Sequence, residues 1–389
     1  MAAKTDASIP AFLSLGLRPF FLSAVLFAAL VIPLWMLVQI GQVTLAGPFA
    51  PVDWHVHEML FGYAGAVIAG FLFTAIPNWT GRMPARGVPL AVLPALWLTG
   101  RLAVGGVFGV SAPWVMAIDM AFPAAICAMI VREIVAGRNW RNLMVVVPVL
   151  VFALANAAFH LEAMASGGAD WSRRLGISAI LVLIMLIGGR VIPSFTRNWL
   201  AKRGPGPLPI PFNRYDALCL AVGALALGLW TARPDGTATG VALILAAGMH
   251  AARLARWCGV RGWRSPLLAM LHVSYAFLPL GLGASGAAAL GYAAPAAGFH
   301  LLGIGGGGGM TAAVMMRASL GHTGQALQAG PWLSVAFACI ALAAPARALM
   351  AGQGLWVAAG LWTLGFAIFA IRLGPALIAP SASARRANP

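Results

Sequence analysis

Twelve apolar runs follow one another along the chain, near 20–41, 57–78, 87–107, 110–131, 143–164, 174–196, 214–232, 238–255, 265–288, 294–317, 332–350 and 354–375. About 20 apolar residues let a helix cross the hydrocarbon of a bilayer. Backbone groups in lipid must bond within their own segment, so the runs predict helices; a barrel shows short alternating segments instead. The polar stretches between runs are short, and the longest, Arg197 to Arg214 with RGPGPLPIP inside it, separates the sixth run from the seventh. The pattern predicts an all-α polytopic membrane protein, a single integral membrane domain over 1–389.

Composition agrees with that reading, since 61% of the residues are hydrophobic and only 9% charged. A water-soluble surface of this size cannot be covered from so few charges. The net charge of +16 raises the question of nucleic acid, and its placement answers it. Of the Lys and Arg residues, 19 fall on the N-terminus, the even-numbered loops and the C-terminus, among them Lys4, Arg18, Arg141, Arg253, Arg385 and Arg386. The odd-numbered loops carry four: Arg101, Arg173, Arg174 and Arg233. This is the positive-inside asymmetry, and it predicts both termini in the cytoplasm and contact with anionic lipid rather than a nucleic-acid partner. The short polar N-terminus has no cleavage site after a separate apolar stretch, so the first helix is expected to be retained. Cys127, Cys219, Cys258 and Cys339 show no ligand spacing and read as small apolar residues.

Internal similarity suggests three four-helix repeats, about 20–131, 143–255 and 265–375. The second helix closes on Ile76-Pro77-Asn78-Trp79-Thr80, the sixth on Ile192-Pro193-Ser194-Phe195-Thr196, and the tenth on Leu320-Gly321-His322-Thr323. On that scheme the three helices occupy equivalent places and line a shared centre.

The candidate chemistry concentrates on the same helices. The stretches beginning at His57 and His300 align without a gap, pairing Gly65 with Gly308 and Thr80-Gly81 with Thr323-Gly324. An ionisable side chain in lipid is costly, so two at equivalent positions mark a metal or haem site. Trp54-His55-Val56-His57-Glu58-Met59 carries a His-x-His pair, which suits a metal where the backbone turns or extends and diverges within a regular helix. Imidazole favours copper or iron over a hard cation. By depth, His55, His57, His160 and His300 are expected near the outer side, and His250, His272 and His322 nearer the inner one. The glycine run 303–309 formally contains GxGxxG, but no strand precedes it, so a dinucleotide site is rejected; glycines here admit either a neighbouring helix or a flat macrocycle. Arg190, after Gly188-Gly189, needs an acceptor such as a haem propionate, and Arg347 also falls within a helix. Glu58 and Asp119 read as acids at the membrane edge, solvated or passing protons.

Together, LGLRPFFL at 15–22, WHVHEMLFGYAGAVIAGFLFTAIPNWTGR at 54–82, IGGRVIPSFTRNWL at 187–200, LHVSY at 271–275 and RASLGHTGQAL at 317–327 resemble the NnrS family over nearly the whole chain. The resemblance implies a bacterial inner-membrane protein with haem and copper, acting in nitric oxide metabolism, denitrification and defence against nitrosative stress. By position, the family's histidines match His55, His57, His272, His300 and His322, and its membrane arginine matches Arg190; Gln325 stands where an arginine is common. No CxxCH occurs, so the haem is expected to be b-type and the electron donor a separate membrane or periplasmic protein. The expected assignment is copper on His55 and His57 with a further histidine from among His160, His272 and His300. Haem iron then falls to His300 or His272, with Arg190 on a propionate and Glu58 passing protons. The expected activity is reduction of NO to N2O, an oxidoreductase reaction. The alternatives are an NO-binding or sensing protein without turnover and a twelve-helix transporter of a metal or NO-derived complex.

Overall fold

A computed structural model describes residues 9–82, 85–138, 140, 143–350 and 352–380. Lys4, Arg141, Arg385 and Arg386 of the charge count lie outside them. The helices, in order, are α1 (Leu17–Gln39), α2 (51–80), α3 (Val88–Val104), α4 (Ala112–Ala136), α5 (Leu143–Ser166), α6 (Asp170–Leu200), α7 (Arg214–Ala232), α8 (Thr237–Ala255), α9 (Pro266–Ala289), α10 (Pro295–His322), α11 (Gly330–Leu349) and α12 (Gly352–Ile378). No strand occurs among the described residues. Eleven of these helices are long and apolar enough to span a membrane, and the twelfth, α3, is a shorter apolar helix. The third run reads as far as 107, but the helix stops at Val104 because Gly105 and Gly106 follow, the latter at φ +84. The second run reads from 57, whereas α2 starts at Pro51, where proline supplies a preset φ at the first helical position.

The chain forms two compact units. The first holds the described residues up to Gly176, with Ala318–Ala326 and those from Phe366 on. In it α1 packs on α2: Phe20 stacks on Phe73 at 5.8 Å, and a side chain at Gly70 would run into Phe21 at 2.6 Å. Arg18, fully buried, donates to the Leu377 and Ala379 carbonyls at 3.2 and 2.5 Å. A cation there meets the negative end of α12 and satisfies carbonyls that no helical N–H reaches.

The second unit holds Ile177–Arg317 and Leu327–Gly365. Its α8, α9 and α10 approach through glycines: a Cβ at Gly286 would lie 2.9 Å from the Gly240 carbonyl, and one at Gly281 2.5 Å from Leu302. Small residues let helix backbones come close where lipid gives no hydrophobic drive for association. A buried polar network ties α6 to α9. Arg253 donates Nε to Asp216 (2.9 Å) and Nη1 to the Met185 carbonyl and the Tyr275 hydroxyl (3.0 Å each), and His250 Nδ1 lies 2.9 Å from the same hydroxyl. Gly189 is required beside it, since any side chain there meets the guanidinium at 2.2 Å.

The helices with matching ends share a local feature that no apolar pattern reveals. Each contains a π-helical stretch: Glu58–Ala64 in α2, Ile184–Gly188 in α6 and Leu301–Gly308 in α10. In α2 and α10 it begins at the residue after the aligned histidine, His57 or His300. A π turn shifts the backbone ladder, and such turns recur at functional sites. In α2 and α6 a side chain from another helix takes a carbonyl of the stretch, Trp97 Nε1 at the Gly62 oxygen (2.9 Å) and Arg253 at that of Met185.

Candidate functional site

In the first unit, α2, α3, α4 and α5 bring six polar side chains together in an apolar interior. His57 closes the first turns of α2 and is fully buried, with Glu58 beside it. His57 Nδ1 lies 3.1 Å from Glu58 Oε1, and its Nε2 lies 2.9 Å from Asn156 Oδ1 and 3.4 Å from Asp119 Oδ2. His160 Nε2 donates to Asp119 Oδ2 at 3.1 Å, and Asn156 Nδ2 donates to the same oxygen at 2.9 Å. Asn156 and His160 are one turn apart on α5 and so share a face. From α3, Arg101 pairs Nη1 with Glu58 and Nη2 with Asp119. The close approach of α3 to α4 rests on Gly100, where a Cβ would stand 3.2 Å from the Asp119 Cα.

His57, Asp119 and His160 can each present one ligand atom within 4.8 Å of the others, all buried. Two imidazoles and a carboxylate suit copper, iron or zinc. Phe49, Phe61 and Phe159 surround His57 with centroids at 4.8, 5.2 and 5.3 Å, which keeps water away. A buried carboxylate costs several kcal/mol unless compensated; here each has the Arg101 guanidinium and at least one further polar neighbour.

Glu58 and Asp119 are thus not solvated edge acids: each is about 1% exposed. Pro51 extends α2 outward beyond Glu58, and Asp119 lies two turns into α4, so both side chains are inside the helix packing. Arg101, expected in an outer loop, lies in the last turn of α3 and is buried. Arg173 of the same count pairs with Asp170. The turn expected around the His-x-His pair is helix, Pro51–His57, so the two rings diverge: His55 stacks on Trp35 at 4.8 Å and lies outside the group containing His57. Sequence reasoning did not single out Asn156; a lone amide one turn from a histidine in an apolar run is the signal that finds it.

The second unit holds His272 and His300. Each donates Nδ1 to the carbonyl four residues back, His272 to Leu268 (3.0 Å) and His300 to Ala296 (2.7 Å). Such a bond fixes the tautomer and leaves Nε2 as the ligand atom; in His272 that atom is buried against Gly259, where a Cβ would stand 3.2 Å from it. After His300 the glycine run divides. A Cβ at Gly305, Gly308 or Gly309 would meet Phe277 at 2.3 Å, Trp362 at 2.5 Å or Ser274 at 3.0 Å, so helix packing demands those glycines. At Gly303, Gly306 and Gly307 nothing lies nearer than 3.6 Å. Arg190 is exposed on α6 and forms no ion pair among the described residues. His322, at the end of α10, is exposed.

No match to the chain was found among curated proteins. The family model described as NnrS protein matches residues 11–381, nearly the whole length. Twelve apolar helices and that match together show that the chain belongs to the NnrS family, membrane proteins associated with nitric oxide metabolism.

Proposed function

We propose that this protein is a haem–copper protein of the bacterial inner membrane that reduces nitric oxide to N2O. The observation that carries the reading is the buried His57–Asp119–His160 group in a chain of this family. Copper is held by the two imidazoles and the Asp119 carboxylate, a choice the donor set favours over a hard cation. The haem sits in the second unit on His300 or His272, whose Nδ1 atoms are already committed to backbone carbonyls. Gly303 and Gly307, half-buried positions that helix packing does not require, leave room on α10 for a flat macrocycle, and Arg190, outside any ion pair among the described residues, suits a propionate.

When bound, the metals supply coordination of NO and one-electron redox chemistry. The chain's own residues do the rest. Joining two NO into N2O and water consumes two electrons and two protons, the electrons coming from a separate membrane or periplasmic donor. Glu58 Oε1 accepts from His57 Nδ1 and so stands where a proton can be passed, and Arg101 pairs with both carboxylates and holds them in place. The phenylalanines around His57 exclude bulk water, which strengthens every charge interaction inside.

The test is N2O production by purified protein given NO and a reductant, with haem and copper quantified on the same sample. Turnover that falls with Glu58→Gln while both cofactors stay bound supports the reading. A haem- and copper-loaded protein that binds NO without forming N2O makes it an NO-binding protein instead. A folded protein free of both cofactors overturns the assignment and favours a transporter.

A further inference from the structure

Immediately beside the His57–Asp119–His160 group is a part-enclosed cavity of about 20 Å³, and one water-sized molecule needs about 10–15 Å³. Its polar wall is Arg101, Asp119 and Asn156; the remainder is apolar, with Phe61, Phe122 and Phe152 prominent. Gly65, the first residue after the π stretch of α2, opens it further: a Cβ there would meet only Phe122 and Phe152, at 3.8 and 3.9 Å. Cys127 lines this cavity and also a strip along the outside of α4 that includes the exposed Val131 and Val135. The strip lies on the outward face of a helix long and apolar enough to span a membrane, with Arg132 further along it, so Cys127 stands between that face and the cavity.

The polar wall is almost fully engaged. Arg101 spends its Nη atoms on Glu58 and Asp119, and Asn156 bonds both His57 and Asp119. Arg101 Nε alone among the wall's side-chain polar atoms is buried without a partner. A water needs two to four polar partners to be held in such a place; an uncharged diatomic needs one donor or none and gains from the aromatic walls.

We propose that this cavity seats an uncharged diatomic gas, nitric oxide above all, admitted from the lipid past Cys127 and held beside the donors of the cluster. The inference rests on the copper reading above and adds to it the place and the route of the substrate. NO concentrates in hydrocarbon, so access from the bilayer spares the site an aqueous channel that would wet its charges.

Two measurements on the full-length protein test it separately from that reading. Crystals pressurised with krypton, an apolar probe, are expected to show the atom in the cavity, and Gly65→Val to abolish it. An ordered water in the wild type, or no krypton, overturns the proposal whether or not copper binds. In copper-loaded protein, NO association is expected to slow about tenfold or more in Gly65→Val and Cys127→Trp, the effect of about 1.4 kcal/mol added to the barrier. Copper content and its paramagnetic spectrum should not change, and Val135→Trp, further along the strip, should bind NO at the wild-type rate. Unchanged rates in Gly65→Val and Cys127→Trp with copper in place reject the route. Failure of the wild type to take up copper rejects the metal assignment instead, and the krypton result then decides the cavity by itself.

Discussion

His57 and His160 aim their Nε2 atoms at one oxygen of Asp119, Oδ2, at 3.4 and 3.1 Å. The three residues come from α2, α5 and α4, so the convergence is a product of helix packing and not of any local motif. Asp119 Oδ1 is meanwhile taken by Arg101. One carboxylate therefore carries both the ligand geometry and the charge balance of the site.

Asp119→Asn keeps the size of the side chain and removes the anionic donor. Copper affinity is expected to fall by more than the roughly 10–100-fold typical of outer-shell partners, as measured by competition with a copper chelator. Helical content, read by circular dichroism, should be retained.

Arg101→Met leaves Glu58 and Asp119 as buried carboxylates without their cation. Breaking a buried pair in this way costs about 3–5 kcal/mol, so denaturation in detergent should shift sharply. Combining it with Glu58→Gln and Asp119→Asn should recover most of that loss, because no uncompensated charge then remains. A triple variant as unstable as Arg101→Met alone would show that the guanidinium acts through packing.

Trp97→Phe removes the donor at the Gly62 carbonyl, inside the π stretch that follows His57. An orphaned buried carbonyl costs about 1–3 kcal/mol. Because that stretch sets the course of α2 beyond His57, weaker copper binding should accompany the loss of stability. Stability lost with copper affinity intact would mean that the π turn and the ligand geometry are independent.

The divided glycine run separates packing from cofactor binding. Gly305→Ala drives a methyl into Phe277 and should destabilise the second unit. Gly307→Leu meets no neighbour of that kind, so the protein should fold as before and lose its haem band in the optical spectrum. Full haem content in Gly307→Leu would place the macrocycle elsewhere.

The helices were legible because lipid imposes a length and a polarity on them. Their ends were less so: Pro51 extends α2 outward, and Gly105-Gly106 cuts α3 short. That extension turned the His-x-His pair into helix and separated His55 from His57. Asp119 and Arg101 were visible as residues, but charges near the end of an apolar run look solvated, and only packing shows them facing each other. The π stretches leave no trace in hydropathy, since a shift of the backbone ladder changes no side chain. His57, His160 and Glu58 could be picked out; the convergence of the two histidines on Asp119, and of Glu58 and Asp119 on Arg101, could not, because no sequence spacing encodes contact between α2, α3, α4 and α5.

The most direct test of the account is copper stoichiometry, measured on purified wild-type protein and on His57→Ala, His160→Ala and His55→Ala prepared identically. Copper lost in His57→Ala and His160→Ala but kept in His55→Ala, whose native ring stacks on Trp35, is the expected result. Copper kept in His160→Ala and lost in His55→Ala would contradict it and return the site to the His-x-His pair.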